Sequence, residues 1–220
     1  MGVIPPQQNA AFVCAMERVL DVYQRPYEAA RPVVCRDESP KQLIRESRTP
    51  VVLPDGSTRY DCEYHRHGVV QLYMLHEPLR GWRRVQLEAR HDRLTFAHLV
   101  ARLLEEDYSA AERVTLVLDN LSAHQPAAFY EVFPPERAHA LLQRVECVFP
   151  PKHGSWLNRA EIELAALLTH GLPERVADGH TLERHCLAWQ TERNQRGAPT
   201  NWQFTTEQAR TKLKRLYPTT

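Results

Sequence analysis

Two short segments, VVCRD at residues 33–37 and VTLVLD at 114–119, run through mostly apolar residues and finish in an aspartate. Apolar runs of this length without alternation belong to strands covered on both faces, the setting of a parallel or mixed sheet enclosed by helices. A third such run, VECVF at 145–149, follows. Between 60 and 90, YDCEYHRHGVVQLYMLHE reads as two strand segments about Gly68. WRRVQLEAR reads as another, with Pro78 and Gly81 in the turn, so three successive antiparallel strands are expected here. Residues 48–56, with two prolines and an Asp-Gly pair, read as a turn-rich connection. Helical spacing takes over elsewhere. Phe12, Val13, Met16, Val19, Leu20 and Tyr23 recur at three and four, and similar periods predict helices over 94–108, 127–133, 136–143, 159–170, 182–196 and 206–217. Strands first, then helices alternating with strands, predict an α/β fold whose mixed sheet is flanked by helices.

Composition places the chain among soluble globular proteins: 220 residues, 43% hydrophobic and 25% charged. With 28 Lys and Arg against 27 Asp and Glu, the formal charge is +1, so any surface for a polyanion must be local. Two clusters qualify. Arg80, Arg83, Arg84, Arg90 and Arg93 surround the WRRVQLEAR strand, and Arg210, Lys212, Lys214 and Arg215 line the last helix. No apolar run is long enough to span a bilayer and the start lacks the pattern of a signal peptide, which predicts a cytoplasmic protein without a membrane partner. Five scattered cysteines with no CxxC pair suit reduced thiols. Cys62, His65 and His67 are the nearest approach to a zinc cluster, without an evident fourth ligand; the simpler reading is a half-wet strand face.

The two strand-end aspartates, Asp37 and Asp119, are expected to meet at one sheet edge. Adjacent carboxylates repel unless protons or cations intervene, and hard oxygen donors favour Mg²⁺ or Mn²⁺. A third acid on the helix after WLN, Glu161 or Glu163, completes such a set. The apolar stripe of Leu157, Ala160, Leu164, Leu167 and Leu168 is flanked by both glutamates, so periodicity does not choose between them. The alternative for each Asp is a solvated turn starter.

The segments RPVVCRDES, LVLDNLSAH, PKHGSWLNRAEIEL and FTTEQARTKLKRLYP, in this order, resemble the catalytic region of IS630-type transposases, members of the Tc1/mariner group of DDE enzymes. The likeness spans essentially the whole chain. It implies an RNase H-like fold in which Asp37, Asp119 and Glu161 are the catalytic, metal-binding triad, Glu161 being selected because the family's acid follows the Asn of LNRAE by three. It further implies Mg²⁺ or Mn²⁺ as cofactor, DNA as partner (transposon ends and a TA-containing target), a homodimer on DNA, and strand cleavage followed by strand transfer through two-metal phosphoryl transfer.

In that setting Asn120 and His124 are candidates to contact DNA or to orient groups around the metal, Lys152 and His153 to pair with phosphates, and Trp156 to meet a base or sugar face or else to pack in the core. Arg210 and Lys214 are the DNA-contact candidates of the last helix. Arg36 is unusual in a buried strand and is expected to pair with Glu38 or another acid. The expected division is a lead-in helix over 1–30, the catalytic domain over 31–196 and a helical extension over 197–220. Helix-turn-helix modules normally precede this catalytic region, and none is seen before Asn9, which points to a truncated copy, a split-gene product or a fragment. A second reading follows: a catalytically silent DNA-binding or oligomerising fragment that regulates a full-length transposase.

Overall fold

The computed structural model describes residues 4, 7–119 and 125–218. Strands are β1 (Val33–Glu46), β2 (Val51–Val52), β3 (Thr58–Arg59), β4 (Tyr64–Glu77), β5 (Trp82–Glu88), β6 (Val114–Val117) and β7 (Val145–Val148). Helices are α1 (Ala10–Tyr23), α2 (Arg93–Arg102), α3 (Ala127–Val132), α4 (Pro135–Gln143), α5 (Arg159–Ala166), α6 (Gly179–Arg196) and α7 (Thr206–Lys212). Both α2 and α5 continue into a wider π turn, at Leu103–Asp107 and Leu167–Gly171.

Among the described residues, five strands make one sheet in the order β5-β4-β1-β6-β7, and β2-β3 form a separate small hairpin. The β1, β4 and β5 strands are antiparallel neighbours, whereas β6 joins β1 and β7 joins β6 in parallel. This is a mixed sheet flanked by helices. Three expectations need correction. Gly68 does not divide two strands: β4 runs through it, and the register against β1 shifts there by one residue, with Gly68 at φ 99°. A bulge needs positive φ at one position, and glycine supplies it without steric cost. The meander is therefore completed by β1 rather than by a split of β4. Nor does β1 end at Asp37; it continues to Glu46, because β4 offers a pairing partner along its whole length. Finally, β6 ends at Val117, two residues before Asp119; the 48–56 connection is turn-rich as expected, and its Val51 and Val52 pair with Arg59 and Thr58.

Strand alternation sorts the core into two layers. Cys35, Leu72, Met74, Val117 and Val148 point to the face covered by α1, α5, α6 and α7. Val34, Leu75, Leu116 and Val145 point to the face covered by α2, α3 and α4. Helix α1 starts where Asn9 accepts a hydrogen bond from the Phe12 amide at 2.9 Å, and it buries Phe12, Met16, Val19 and Leu20 against the first layer. The end of the chain closes onto α1: Ala209 and Leu216 are fully buried in the same cluster, and the Asn9 amide donates to the Leu216 carbonyl.

Candidate active site

Parallel pairing of β1 with β6 sets Cys35 beside Val117. Asp37 lies two residues further along β1, and Asp119 lies two residues past the end of β6, so the register carries both toward one level. Alternation puts Asp37 on the side of β1 that Cys35 faces, the side covered by α5. Both line a cavity of about 440 Å³ with Pro150, Pro151, Lys152, His153, Ser155 and Asn158. The cavity thus opens at the carboxyl ends of the parallel strands β6 and β7, where open α/β sheets place their sites.

Helix α5 brings the third acid. Its first turn is fixed by Asn158, whose Oδ1 accepts from the Ala160 amide at 3.2 Å. Glu161 is partly exposed and near enough to Asp37 to act on it electrostatically. Burial pushes the Asp37 carboxyl up to about 7, and the negative charges of Glu38, Asp119 and Glu161 push it the same way. The Glu38 amide, donating to Asp37 Oδ1 at 2.9 Å, pulls in the opposite direction. Carboxylates gathered so that one resists ionisation are the donor set a hard divalent cation relieves, so the residues present fit Mg²⁺ or Mn²⁺ in chemistry. Among the described residues, no three His, Cys, Asp or Glu side chains are drawn together tightly enough to hold an ion as they stand; this includes Cys62, His65 and His67 as well as the three acids.

Glu163 has a different task. It is buried, and Arg83 grips it at two points, Nε to Oε2 at 2.6 Å and Nη2 to Oε1 at 2.9 Å, while Arg193 adds a third contact at 3.0 Å. Burial opposes its ionisation, but these bonds outweigh burial and hold the carboxyl down at about 2. Of the two glutamates between which periodicity did not choose, Glu163 is an internal ion-pair partner, while Glu161 acts on Asp37 through its charge and is not among the residues lining the cavity.

Arg36, on the opposite face of β1, is 1% exposed and pairs with Glu38 at 3.2 Å, as its sequence context suggested. Its guanidinium also lies over the rings of Tyr73 and Phe96, at 4.8 and 5.3 Å. Glu38 in turn contacts His91 at 2.9 Å, so it faces away from the cavity. Asp61 sits far along the β1-β4 ribbon, near Arg48.

The remaining candidates separate by position. Lys152 and His153 are exposed at the cavity, and His153 holds φ 65°, the left-handed conformation, next to the tight Gly154 turn. Trp156 packs beside Trp202 and Phe204, with ring centroids at 6.5 and 6.4 Å, and belongs to the core margin. Arg210 binds Glu17 of α1 through both oxygens, at 2.8 and 2.9 Å, and Lys214 is exposed on the final turn; neither is part of the cavity lining. Asn120 and His124 lie outside the described residues. The basic cluster around β5 is largely consumed internally: Arg83 by Glu163, Arg84 by Asp107 and Glu106, Arg93 by Glu131, and Arg80 by Glu77. No described helix is long and apolar enough to cross a membrane.

Sequence reasoning missed two links. The Arg83–Glu163 pair joins residues 80 positions apart, and Asn158 reaches the Arg36 carbonyl across 122 positions. Neither leaves a local signal.

The family model described as DDE superfamily endonuclease matches residues 32–183. Among solved structures, the chain is similar to the Mos1 mariner paired-end complex with Mg (15% identity, TM-score 0.60, covering 99% of this chain and 66% of that one). It is also similar to the paired-end complex with Mn (16%, 0.55, 89% and 61%) and to the Mos1 strand transfer complex (15%, 0.56, 90% and 61%). The chain spans about three-fifths to two-thirds of the length of those transposase chains. At these identities the likeness is one of fold, and the fold is RNase H-like. No curated protein sequence matches.

Proposed function

Since the chain belongs to the DDE superfamily endonucleases, we propose that it is a transposase catalytic domain of the Tc1/mariner group that cleaves DNA strands and joins them to a target, with Asp37, Asp119 and Glu161 as its catalytic triad. The observation that carries this reading is that Asp37 of β1 and Asp119, just past the parallel neighbour β6, line one cavity, with Glu161 close enough to raise Asp37.

In this reading the three carboxyl groups hold Mg²⁺ or Mn²⁺, the ions present in the similar Mos1 complexes. When bound, two such ions supply charge neutralisation and Lewis-acid activation for in-line displacement at a phosphodiester. The chain's own contribution is to gather the carboxylates and to orient the DNA. Asp37 lies within β1 and Asp119 two residues past β6, so strand pairing fixes the first and anchors the start of the segment that carries the second. Lys152 and His153, exposed at the same cavity, pair with the phosphates flanking the scissile bond. No side-chain nucleophile is required, because water and then a DNA 3′-hydroxyl serve in turn. The substrate is a transposon end and the acceptor a TA-containing target, taken by a homodimer.

Nicking of supercoiled DNA in Mn²⁺ by the wild type, compared with Asp119→Asn, tests this. Loss of nicking by at least roughly a hundredfold is expected, the scale of removing an electrostatic centre from a site. Nicking indifferent to the substitution rejects the triad. A wild type that binds DNA but never nicks it would instead favour the silent regulatory fragment.

A further inference from the structure

We propose that Asn158 is a positioning residue that sets the separation between the sheet acids and the helix acid by tying the first turn of α5 to the backbone of β1 just before Asp37. The inference rests on the triad reading above and deepens it. Asn158 is 3% exposed and uses both ends of its amide. Its Oδ1 accepts from the Ala160 amide at 3.2 Å and so begins the helix that carries Glu161, while its Nδ2 donates to the Arg36 carbonyl at 2.8 Å. One planar group therefore bridges the peptide preceding Asp37 and the turn containing Glu161. It also lines the cavity shared by Asp37 and Asp119.

A cap alone does not demand asparagine. Ser, Asp and Asn start helices about equally well. Here the donor end is buried against a carbonyl, and only an amide of this length presents an acceptor to the helix and a donor to the strand. The neighbourhood is braced as well. The Tyr23 hydroxyl donates to the Leu157 carbonyl at 2.7 Å and lies 3.3 Å from Cys35 Sγ, so α1 pins the residue before Asn158 to the residue before Arg36. Tyr23 holds the segment in place; Asn158 sets how α5 leaves it. Glu161, three residues after this Asn, thus stands in the first helical turn, at the end tethered to β1.

Two variants separate the tether from the cap. Asn158→Ser retains a capping oxygen but is too short to reach Arg36, and Asn158→Asp retains shape and cap but turns an acceptor toward the carbonyl. Both are expected to unfold cooperatively, with DNA KM within about twofold of wild type and kcat for Mn²⁺-dependent nicking reduced by about tenfold or more. Mn²⁺ alone, titrated by electron paramagnetic resonance, should bind Asn158→Ser about tenfold more weakly, the scale seen when a ligand's supporting hydrogen bond is removed. Wild-type kcat and Mn²⁺ affinity in Asn158→Ser overturn the proposal, and so does a wild-type rate in Asn158→Asp. If even the wild type binds no Mn²⁺, the triad reading fails. The tether is then judged by hydrogen exchange at residues 36–38 and 159–161, which should quicken in Asn158→Ser and which overturns the tether if it does not. Should Asn158→Ser fail to fold, Asn158→Asp carries the same measurements of kcat and exchange.

Discussion

Arg83 and Glu163 form a buried two-point ion pair between β5 and α5, with both oxygens of the carboxylate engaged. Glu161, two residues earlier on the same helix, is partly exposed and near enough to Asp37 to raise it electrostatically. Successive odd positions on a helix face different directions, so the two glutamates cannot exchange tasks. Glu163→Gln leaves a buried guanidinium short of its counter-charge and is expected to cost about 3–5 kcal/mol of stability, read as a fall in the urea midpoint. Glu161→Gln is expected to cost under about 1 kcal/mol, as for a surface change, and to abolish nicking. The reverse pattern would show that the catalytic acid had been misassigned.

Asp37 makes the metal-free protein less stable at neutral pH. Its folded pKa, raised by burial and by its acidic neighbours to about 7, lies above the unfolded value near 3.8. A raised carboxyl contributes stability that is fully present below the unfolded pKa and is lost as pH rises through the folded one. Asp37→Asn should therefore melt at a higher temperature than the wild type at pH 8 without divalent ions, and the two should converge below about pH 4. The variant is expected to lack nicking activity. Added Mn²⁺ should stabilise the wild type and not the variant, a difference that thermal melts at pH 8 with and without the ion measure directly.

Much of this was legible in the chain itself, and the boundary is physical. The VVC and VTLV runs identified the central strands because a strand covered on both faces has no room for alternation. The start of α5 at Arg159 was legible because helical spacing is a local signal. The extension of β1 to Glu46 was not, since its polar stretch is stabilised by pairing with β4 rather than by its own composition. The β5 arginines looked like a polyanion surface, because charge in sequence carries no record of partners such as Glu163, Asp107 or Glu131. Asp37 and Asp119 could be singled out one by one, but that both are carried toward one level depends on the Cys35–Val117 register, which only the sheet defines.

Lys152 is exposed at the cavity rim and has its positive charge available to a phosphate. Lys152→Ala is expected to weaken DNA binding across sequences alike. Because one neutralised phosphate releases its counterions, the slope of log affinity against log salt should become shallower by about 0.9. Arg210→Ala, which breaks a contact with Glu17 on α1, should leave that slope unchanged if Arg210 serves only the fold. Fluorescence anisotropy on a duplex across a salt series distinguishes the two. An unaltered slope for Lys152→Ala would remove it from the DNA interface.

Gly81 closes the turn between β4 and β5 with φ 68°, and a Cβ there would come within 2.8 Å of the Ala198 backbone. The turn and the segment after α6 are bound together, since the Thr200 amide donates to the Pro78 carbonyl at 2.8 Å. Beyond that clasp the chain returns over α1, where Ala209 and Leu216 complete the first core layer. Gly81→Ala must therefore both enter the left-handed region and displace backbone, which costs of order 1–3 kcal/mol for the strained conformation alone. Leu216→Ala, at the far end of the same segment, should cost about 2–5 kcal/mol through an unfilled core position. If residues 197–220 fold as one body with the sheet, each variant lowers a single cooperative unfolding transition. Two separated transitions, with β-sheet signals persisting after the first, would instead make the extension an independent unit.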